Sequence, residues 1–231
     1  MLKKLKENPI KCLNKFDKIL WFTSVLIIFL ATYMTKDFTF ATLFAPLVGV
    51  TSLLFVAKGN VYGHIFGILF AILYGYISFG FKYYGEAITY LCMSAPMGLF
   101  ALISWLKNPY EDTQEVKVSS VSKKKLVVIF LLTTIITIIF YFILKAFNTS
   151  NLNVSTVSIA TSFFAVSLSF LRSPYYAIAY VLNDLILIVL WIYASFTDLQ
   201  YVNMVICFIV FIVNDIYGYI SWQSMKNRQN V

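Results

Sequence analysis

Residues 125–146 read KLVVIFLLTTIITIIFYFILKA, with no charged side chain between Lys125 and Lys145. A helix of about 20 apolar residues covers the hydrocarbon core of a bilayer. A strand of a membrane barrel would instead alternate apolar and polar side chains, and this stretch does not. It therefore predicts a membrane-spanning α-helix.

Seven further apolar segments flank this one, and short polar clusters separate them. They cover residues 18–34, 41–57, 61–82, 85–106, 154–172, 175–196 and 200–223. Hydrophobic residues make up 60% of the 231-residue chain, charged residues make up 12%, and the mean hydropathy is +0.81. Soluble domains carry about 25% charged residues. The predicted fold class is thus an all-α integral membrane protein with eight transmembrane helices. A cleavable signal peptide is not expected, because the first 18 residues are basic and polar.

Lysine and arginine residues in the connections predict the orientation of these spans. With the amino terminus inside, fifteen of the 18 lie on the inner side and three on the outer side. The outer three are Lys36, Lys82 and Lys145; the inner set comprises six lysines before residue 19, then Lys58, Lys107, Lys117, Lys123, Lys124, Lys125, Arg172, Lys226 and Arg228. This pattern predicts a multi-pass protein of a bacterial cytoplasmic membrane with both termini in the cytoplasm. Nucleic-acid binding is not expected, since the basic residues lie on loops of one leaflet rather than on one folded face.

The polar segment 108–125 divides the chain into comparable halves that resemble each other. A shift of 117 positions places Ile103-Ser104-Trp105 on Ile220-Ser221-Trp222, and Tyr76 on Tyr193. These matches predict two parallel three-helix repeats joined by one linking helix, with an extra helix at the amino terminus. Transporters built from such repeats bind substrate near the bilayer midplane, between the halves. The predicted divisions are residues 1–40, 41–107, 108–150 and 151–231.

Polar side chains inside the spans are the candidate site, because polar groups at membrane depth are costly and tend to face the bundle interior. An amide can both donate to and accept from sugar hydroxyls or a carboxamide, and a tryptophan can stack on a flat, cationic ring. The predicted substrate-binding residues are Asn183, Asp184 and Trp191 in the seventh span, Asn214, Asp215 and Tyr217 in the eighth, and Glu86 and Tyr90 near the outer end of the fourth.

Several of these residues also have other interpretations. Asn183 and Asn214 could hydrogen-bond neighbouring helices. Asp184 and Asp215 could bind a proton or sodium ion, pair with each other or a tyrosine, or remain protonated as hydrogen-bond donors. Glu86 could be a solvated carboxylate at the outer mouth. For Trp21, Trp105 and Trp222 near the span ends, anchoring at the membrane interface is the favoured interpretation.

Enzymatic chemistry is not indicated. Nucleophilic or metal catalysis needs a serine beside a base, paired carboxylates or clustered histidines, and His64 is the single histidine. Cys12, Cys92 and Cys207 are too few and too scattered for a disulfide framework or a metal site. We therefore predict no catalytic residues, no metal and no cofactor.

Short motifs occur in both halves of the chain in a fixed order and spacing. The second half contains Leu190-Trp191 followed by Asn214-x-x-Tyr217-Gly218-x-x-x-Trp222, and the first half contains Val56-Ala57-Lys58-Gly59, Tyr83-Tyr84-Gly85-Glu86 and Pro96-Met97. With these motifs the chain resembles the PnuC family of bacterial nicotinamide riboside transporters. The resemblance covers roughly residues 45–107 and 160–224. The chain departs from the family pattern at Ala87-Ile88-Thr89-Tyr90 and at Leu102-Ile103-Ser104-Trp105, and in having Asp184 and Asp215 after its two asparagines.

This resemblance implies a fold similar to that of sugar-transporting SWEET proteins, with three helices, one linking helix and three more. It also implies a homotrimer, and uptake of nicotinamide riboside for NAD biosynthesis by facilitated diffusion, with trapping by a phosphorylating cytoplasmic kinase. The tryptophan and asparagine positions of the last two spans would hold the nicotinamide and the ribose. Because related transporters carry thiamine, riboflavin or deoxynucleosides, the resemblance leaves the vitamin or nucleoside open.

Two other functions remain alternatives to a facilitator. A vitamin-binding subunit of an energy-coupling-factor importer is also a small helical membrane protein, although such subunits have about six spans and lack a parallel three-helix duplication. A proton- or sodium-coupled nucleoside transporter would use Asp184 and Asp215 as its ion site.

Overall fold

The computed structural model describes residues 8–35, 40–80 and 83–230, and within these ranges the regular secondary structure is helical. The helices are α1 Lys15–Thr35, α2 Phe40–Ala57, α3 Tyr62–Gly80, α4 Tyr84–Thr89, α5 Ala95–Lys107, α6 Lys123–Ala146, α7 Leu152–Phe170, α8 Tyr176–Ser195 and α9 Val202–Arg228. Lys36 and Lys82, two of the predicted outer lysines, lie outside the described residues, as do Lys3, Lys4 and Lys6.

The membrane prediction is confirmed by the length and composition of these helices. Seven helical segments are long and apolar enough to cross a bilayer, and Leu43–Ala57 of α2 forms a shorter apolar helix. One of the seven, Tyr84–Lys107, combines α4 and α5. Apolar side chains remain widely exposed on α1 and α6. Such surfaces suit hydrocarbon rather than water.

A π-helical turn, Tyr90–Ser94, joins α4 to α5. Pro96 lies in the first turn of α5, so the missing backbone donor of the proline coincides with this irregularity. Turns of this kind are frequently found at functional sites.

The long helices other than α1 and α6 pack as two groups, and each group contacts the other. In the first group α3 packs against α2 and α5, and in the second α8 packs against α7 and α9. The first helix of each group also contacts the last helix of the other, through α2 with α9 and α5 with α7. The linking helix α6 packs on α7 at the periphery, while α1 packs on α9 and α2.

The additional helix α1 is held to α9 by three polar contacts along its length. The Asn214 amide donates to Ser24 Oγ (3.0 Å), and the Asn203 amide donates to Thr32 Oγ1 (3.2 Å). At one end of the helix the hydroxyl of Tyr217 donates to Asp17. Hydrogen bonds of this type join helices inside membranes.

One end of the bundle carries Lys58, Lys107, Lys117, Arg172 and Lys226, and we refer to it as the basic end.

The predicted linker packs across the basic end rather than projecting from it. Val116 and Val118 are buried, and Val116 N–H donates to the carbonyl of Gly59 (2.9 Å). The amide of Gln229 accepts from Val118 N–H (2.7 Å). Gly59 has φ +63°, which a glycine adopts without strain. Hydrogen bonds therefore join the loop between α2 and α3, the linker and the carboxy-terminal tail.

Candidate functional site

A cavity of about 120 Å³ lies between the two groups of helices. That volume holds several water molecules. Its lining residues come from both groups: Gly49, Ser52, Leu53, Val56, His64, Gly67, Phe70, Ala71, Tyr90, Ser94 and Gly98 from the first, and Ser162, Val166, Ser169, Tyr176, Tyr180, Asn183, Asp184, Phe208, Phe211 and Asp215 from the second. The position matches the expected location of a substrate site between halves.

The polar groups of this cavity belong mainly to the second group of helices. The Asn183 carbonyl accepts from Thr161 Oγ1 (2.9 Å) and Ser162 Oγ (2.8 Å). With that oxygen engaged, the amide NH₂ is the part of Asn183 that a ligand can use. Asp184 and Asp215 are buried and interact with each other across the α8–α9 contact. This wall thus offers an amide and a pair of carboxyl groups.

The opposite wall is lined by small residues. Gly49, Gly67 and Gly98 line it together with Ala71. A methyl group added at Gly49 would overlap the ring of Phe211. The absence of a side chain at Gly49 therefore lets the Phe211 ring pack closely against this wall.

Aromatic rings form the rest of the cavity. Phe70 packs edge-on against Tyr90 (ring centroids 6.1 Å apart) and against Phe211 (5.4 Å). The π turn is what brings Tyr90 into this arrangement. Rings of this kind can contact a planar or cationic ligand.

Trp191 lies outside the cavity lining. It is fully buried toward the end of the bundle opposite the basic end, and its indole N–H donates to the hydroxyl of Tyr74 (2.7 Å). The ring of Trp191 also packs against Tyr83 (5.2 Å) and Tyr201 (5.7 Å). In this conformation Trp191 packs within an aromatic cluster, and its stacking on substrate stays a prediction.

Asn214 and Tyr217 also point away from the cavity. Asn214 bonds to Ser24 of α1, and Tyr217 bonds to Asp17, which is itself paired with Lys58 (3.2 Å). In this conformation both side chains make helix–helix contacts, the structural alternative considered for Asn214, and their role in binding substrate stays a prediction.

Glu86 is fully buried and accepts from Ser158 Oγ (2.9 Å). It is not a solvated carboxylate at the outer mouth, and it does not line the cavity. Of the eight predicted site residues, the structure brings together Tyr90, Asn183, Asp184 and Asp215.

Two tryptophans close the cavity at the basic end. Trp105 donates to the carbonyl of Ser169 (2.9 Å) and Trp222 donates to the carbonyl of Val56 (2.8 Å), with their rings 5.3 Å apart. Both are buried, so interfacial anchoring is the wrong interpretation for them. Each tryptophan ends one group of helices and bonds to the first helix of the other group. We call this arrangement the tryptophan lock.

This fold has a counterpart among known proteins. Residues 39–224 match the family model described as nicotinamide mononucleotide transporter. The chain belongs to this transporter family. The nicotinamide riboside transporter PnuC of Neisseria mucosa is 22% identical over 191 residues, which cover 80% of this chain and 73% of that protein. A crystal structure of the vitamin B3 transporter PnuC is similar in fold, with a TM-score of 0.80 and 22% identity over 98% of this chain and 97% of that one.

Membership of the family confirms that the chain is a membrane transporter and not an intramembrane enzyme. The resemblance to PnuC proteins is confirmed as well. The match also argues against a subunit of an energy-coupling-factor importer, because most of the chain matches a different transporter family.

Proposed function

We propose that this protein takes up nicotinamide riboside, or a closely related vitamin or nucleoside, by facilitated diffusion across a bacterial cytoplasmic membrane. The observation that carries the proposal is the cavity between the two groups of helices, where Asn183 and the carboxyl pair face aromatic rings. The family match and the PnuC relative support the same class of substrate. A cytoplasmic kinase that phosphorylates the product would prevent its return.

The charge of the cavity favours the riboside over the mononucleotide. Among its described lining residues none is a lysine or arginine, whereas two are aspartates. Proteins usually bind phosphate with arginine, lysine or backbone N–H groups. A phosphate placed beside Asp184 and Asp215 would instead meet negative charge.

A thermal-shift panel tests this substrate assignment. Nicotinamide riboside should raise the unfolding temperature of the purified protein, because a ligand that binds only the folded state stabilises it. Nicotinamide mononucleotide at the same concentration should produce a smaller shift, and thiamine, riboflavin and uridine serve as comparison ligands. A larger shift with the mononucleotide than with the riboside would contradict the assignment.

Movement of the two groups past each other would carry the substrate across. The tryptophan lock closes the basic end, and Trp191 with Tyr74 closes the other. The members of each pair lie 117 positions apart, Trp105 with Trp222 and Tyr74 with Trp191. This relation supports the parallel three-helix repeats and a SWEET-like architecture, with α6 as the linking helix and α1 as the additional one. Opening one closure at a time would give alternating access.

The proposed orientation places the basic end in the cytoplasm, with eight crossings and both termini inside. A reporter fused at the carboxy terminus should register as cytoplasmic, and so should one inserted in the 108–125 segment. A periplasmic signal from either fusion would contradict eight crossings in this orientation.

The homotrimer implied by the family resemblance also remains a proposal. The linking helix α6 leaves most of its apolar surface uncovered within one chain, and lipid or another copy would cover it. Mass measurement of the protein in native-like nanodiscs would distinguish a trimer from a monomer.

A further inference from the structure

Among the described residues, the carboxyl pair of the cavity has no cationic partner. Among the described residues the ion pairs are Lys58 with Asp17 and Arg228 with Glu115, and neither involves Asp184 or Asp215. Both of these aspartates are less than 5% exposed (4% and 3%). Buried acidic groups are normally paired or hydrogen-bonded. The two side chains share a hydrogen bond with each other, but in the described part of the molecule Asp184 Oδ2 has no hydrogen-bond partner.

The other ionisable groups around the pair do not supply this positive charge. Tyr176 and Tyr180 interact electrostatically with Asp215, and a phenol is never a cation. His64 lines the cavity but packs its ring edge-on against Trp105 (4.2 Å) and makes no ion pair with either aspartate. The pair therefore faces a cavity in which a positively charged ligand would find a partner.

The shape of the cavity restricts what that ligand is. Aromatic rings of Phe70, Tyr90 and Phe211 face the same space, and an aromatic face attracts a cation. A metal ion fits poorly, because the described residues contain no group of three or more acidic, histidine or cysteine side chains that could hold one.

We infer that Asp184 and Asp215 form a charge-selective subsite that binds a cationic heteroaromatic ring, such as an N-substituted pyridinium or thiazolium. One ionised carboxyl neutralises the charge of the ring, and the second can keep its proton and donate a hydrogen bond. This inference rests on the proposed function and deepens it, since the ring of nicotinamide riboside is a pyridinium. The subsite would reject neutral nucleosides that fit the cavity equally well.

Two ligands of nearly equal size test the inference. Nicotinamide riboside has a cationic ring, and its 1,4-dihydro form has a neutral one. The purified protein should bind the cationic form more tightly by roughly tenfold to a hundredfold, the lower part of the range measured for close opposite charges across binding interfaces. Thiamine and inosine form a second comparison in which both rings are aromatic, and thiamine should bind more tightly.

The Asp184→Asn/Asp215→Asn double variant keeps the shape of both side chains and removes their charge. In this variant the ratio of the affinities for the cationic and the neutral riboside should fall to about one, mainly because the cation binds more weakly. Glu86→Gln is the matched control, because it also neutralises a fully buried carboxyl that lies outside the cavity lining, and it should retain the preference. If the double variant does not fold, each single variant should still reduce the preference.

The possible outcomes separate the inference from the function. If the unaltered protein binds both forms of the riboside equally, the subsite is wrong and the transport function stands. An unchanged preference in the double variant would also overturn the inference. Uptake driven by a sodium or proton gradient and lost in the Asp variants would make the pair an ion site instead. No binding of any vitamin or nucleoside would count against the proposed function itself.

Discussion

Trp222→Ala should lower the free energy of unfolding by about 3–5 kcal/mol, the usual range for removing a large buried aromatic side chain. Trp222 is completely buried, and its loss would also leave the carbonyl of Val56 without its indole donor. Its ring neighbours, Trp105 at 5.3 Å and Tyr176 at 5.0 Å, would face an empty space. Denaturant titration in detergent micelles would measure the change.

Trp21→Ala is the matched control for this variant. Trp21 also donates an indole hydrogen bond, to Thr51 Oγ1 (3.1 Å), but it is 36% exposed and lies on the additional helix α1. We expect its replacement to destabilise the protein by less than half as much. Equal effects of the two substitutions would contradict a special role for the tryptophan lock.

Lys58→Met should destabilise the protein by about 3–5 kcal/mol, because removing one member of a buried ion pair leaves the other charge unpaired. The Lys58 ammonium lies 3.2 Å from Asp17, whose side chain is fully buried. Asp17 also accepts from the Asn14 N–H (2.7 Å) and from Tyr217. The contact therefore ties the start of α1 to the end of α2 and to α9, and its loss should loosen α1.

Arg228→Met provides the comparison for Lys58→Met. Arg228 forms the other described ion pair, with Glu115, and its side chain is 56% exposed. Exposed pairs contribute about 0–1 kcal/mol, so unfolding temperatures should fall clearly for Lys58→Met and little for Arg228→Met. A fall of the same size in both variants would show that the burial of Asp17 does not determine how much the Lys58–Asp17 ion pair contributes to stability.

The spans could be predicted from the sequence because hydrocarbon imposes a strict length and composition on a helix. The segment 125–146 became α6 at Lys123–Ala146, and 175–196 became α8 at Tyr176–Ser195. The last helix extends beyond its predicted end at 223, to Arg228. Its final turn leaves the apolar layer and packs against the linker, and hydropathy carries no information about such a contact.

The direction in which each polar side chain points could be predicted only in part. Asn183 and Asn214 each precede an aspartate and look alike in the sequence. Asn183 faces the cavity, while Asn214 meets Ser24 of α1. Helical spacing defines the faces of a helix, but it does not identify which neighbour covers each face. The position of α1 on α9 was needed to separate the two roles.

The two closures of the cavity depend on contacts between distant parts of the chain. Trp191 meets Tyr74, and Trp105 meets Trp222, in each case across 117 positions. The predicted repeat aligned Trp105 with Trp222 in sequence. Two aligned positions need not be in contact, so the alignment did not predict that the two rings meet. A tryptophan near a span end is by default expected at the membrane interface. Only the packing of the helices shows that Trp105 and Trp222 are instead buried.

Transport of radiolabelled nicotinamide riboside into liposomes that contain the purified protein tests the central claim most directly. The label should enter until the concentrations inside and outside are equal, at a rate that an imposed proton or sodium gradient does not change. Enclosing a riboside kinase and ATP should increase the accumulated label, because phosphorylation removes the transported species. Failure of the label to enter beyond protein-free liposomes would contradict the transport function, and uphill accumulation driven by either ion gradient would contradict facilitated diffusion.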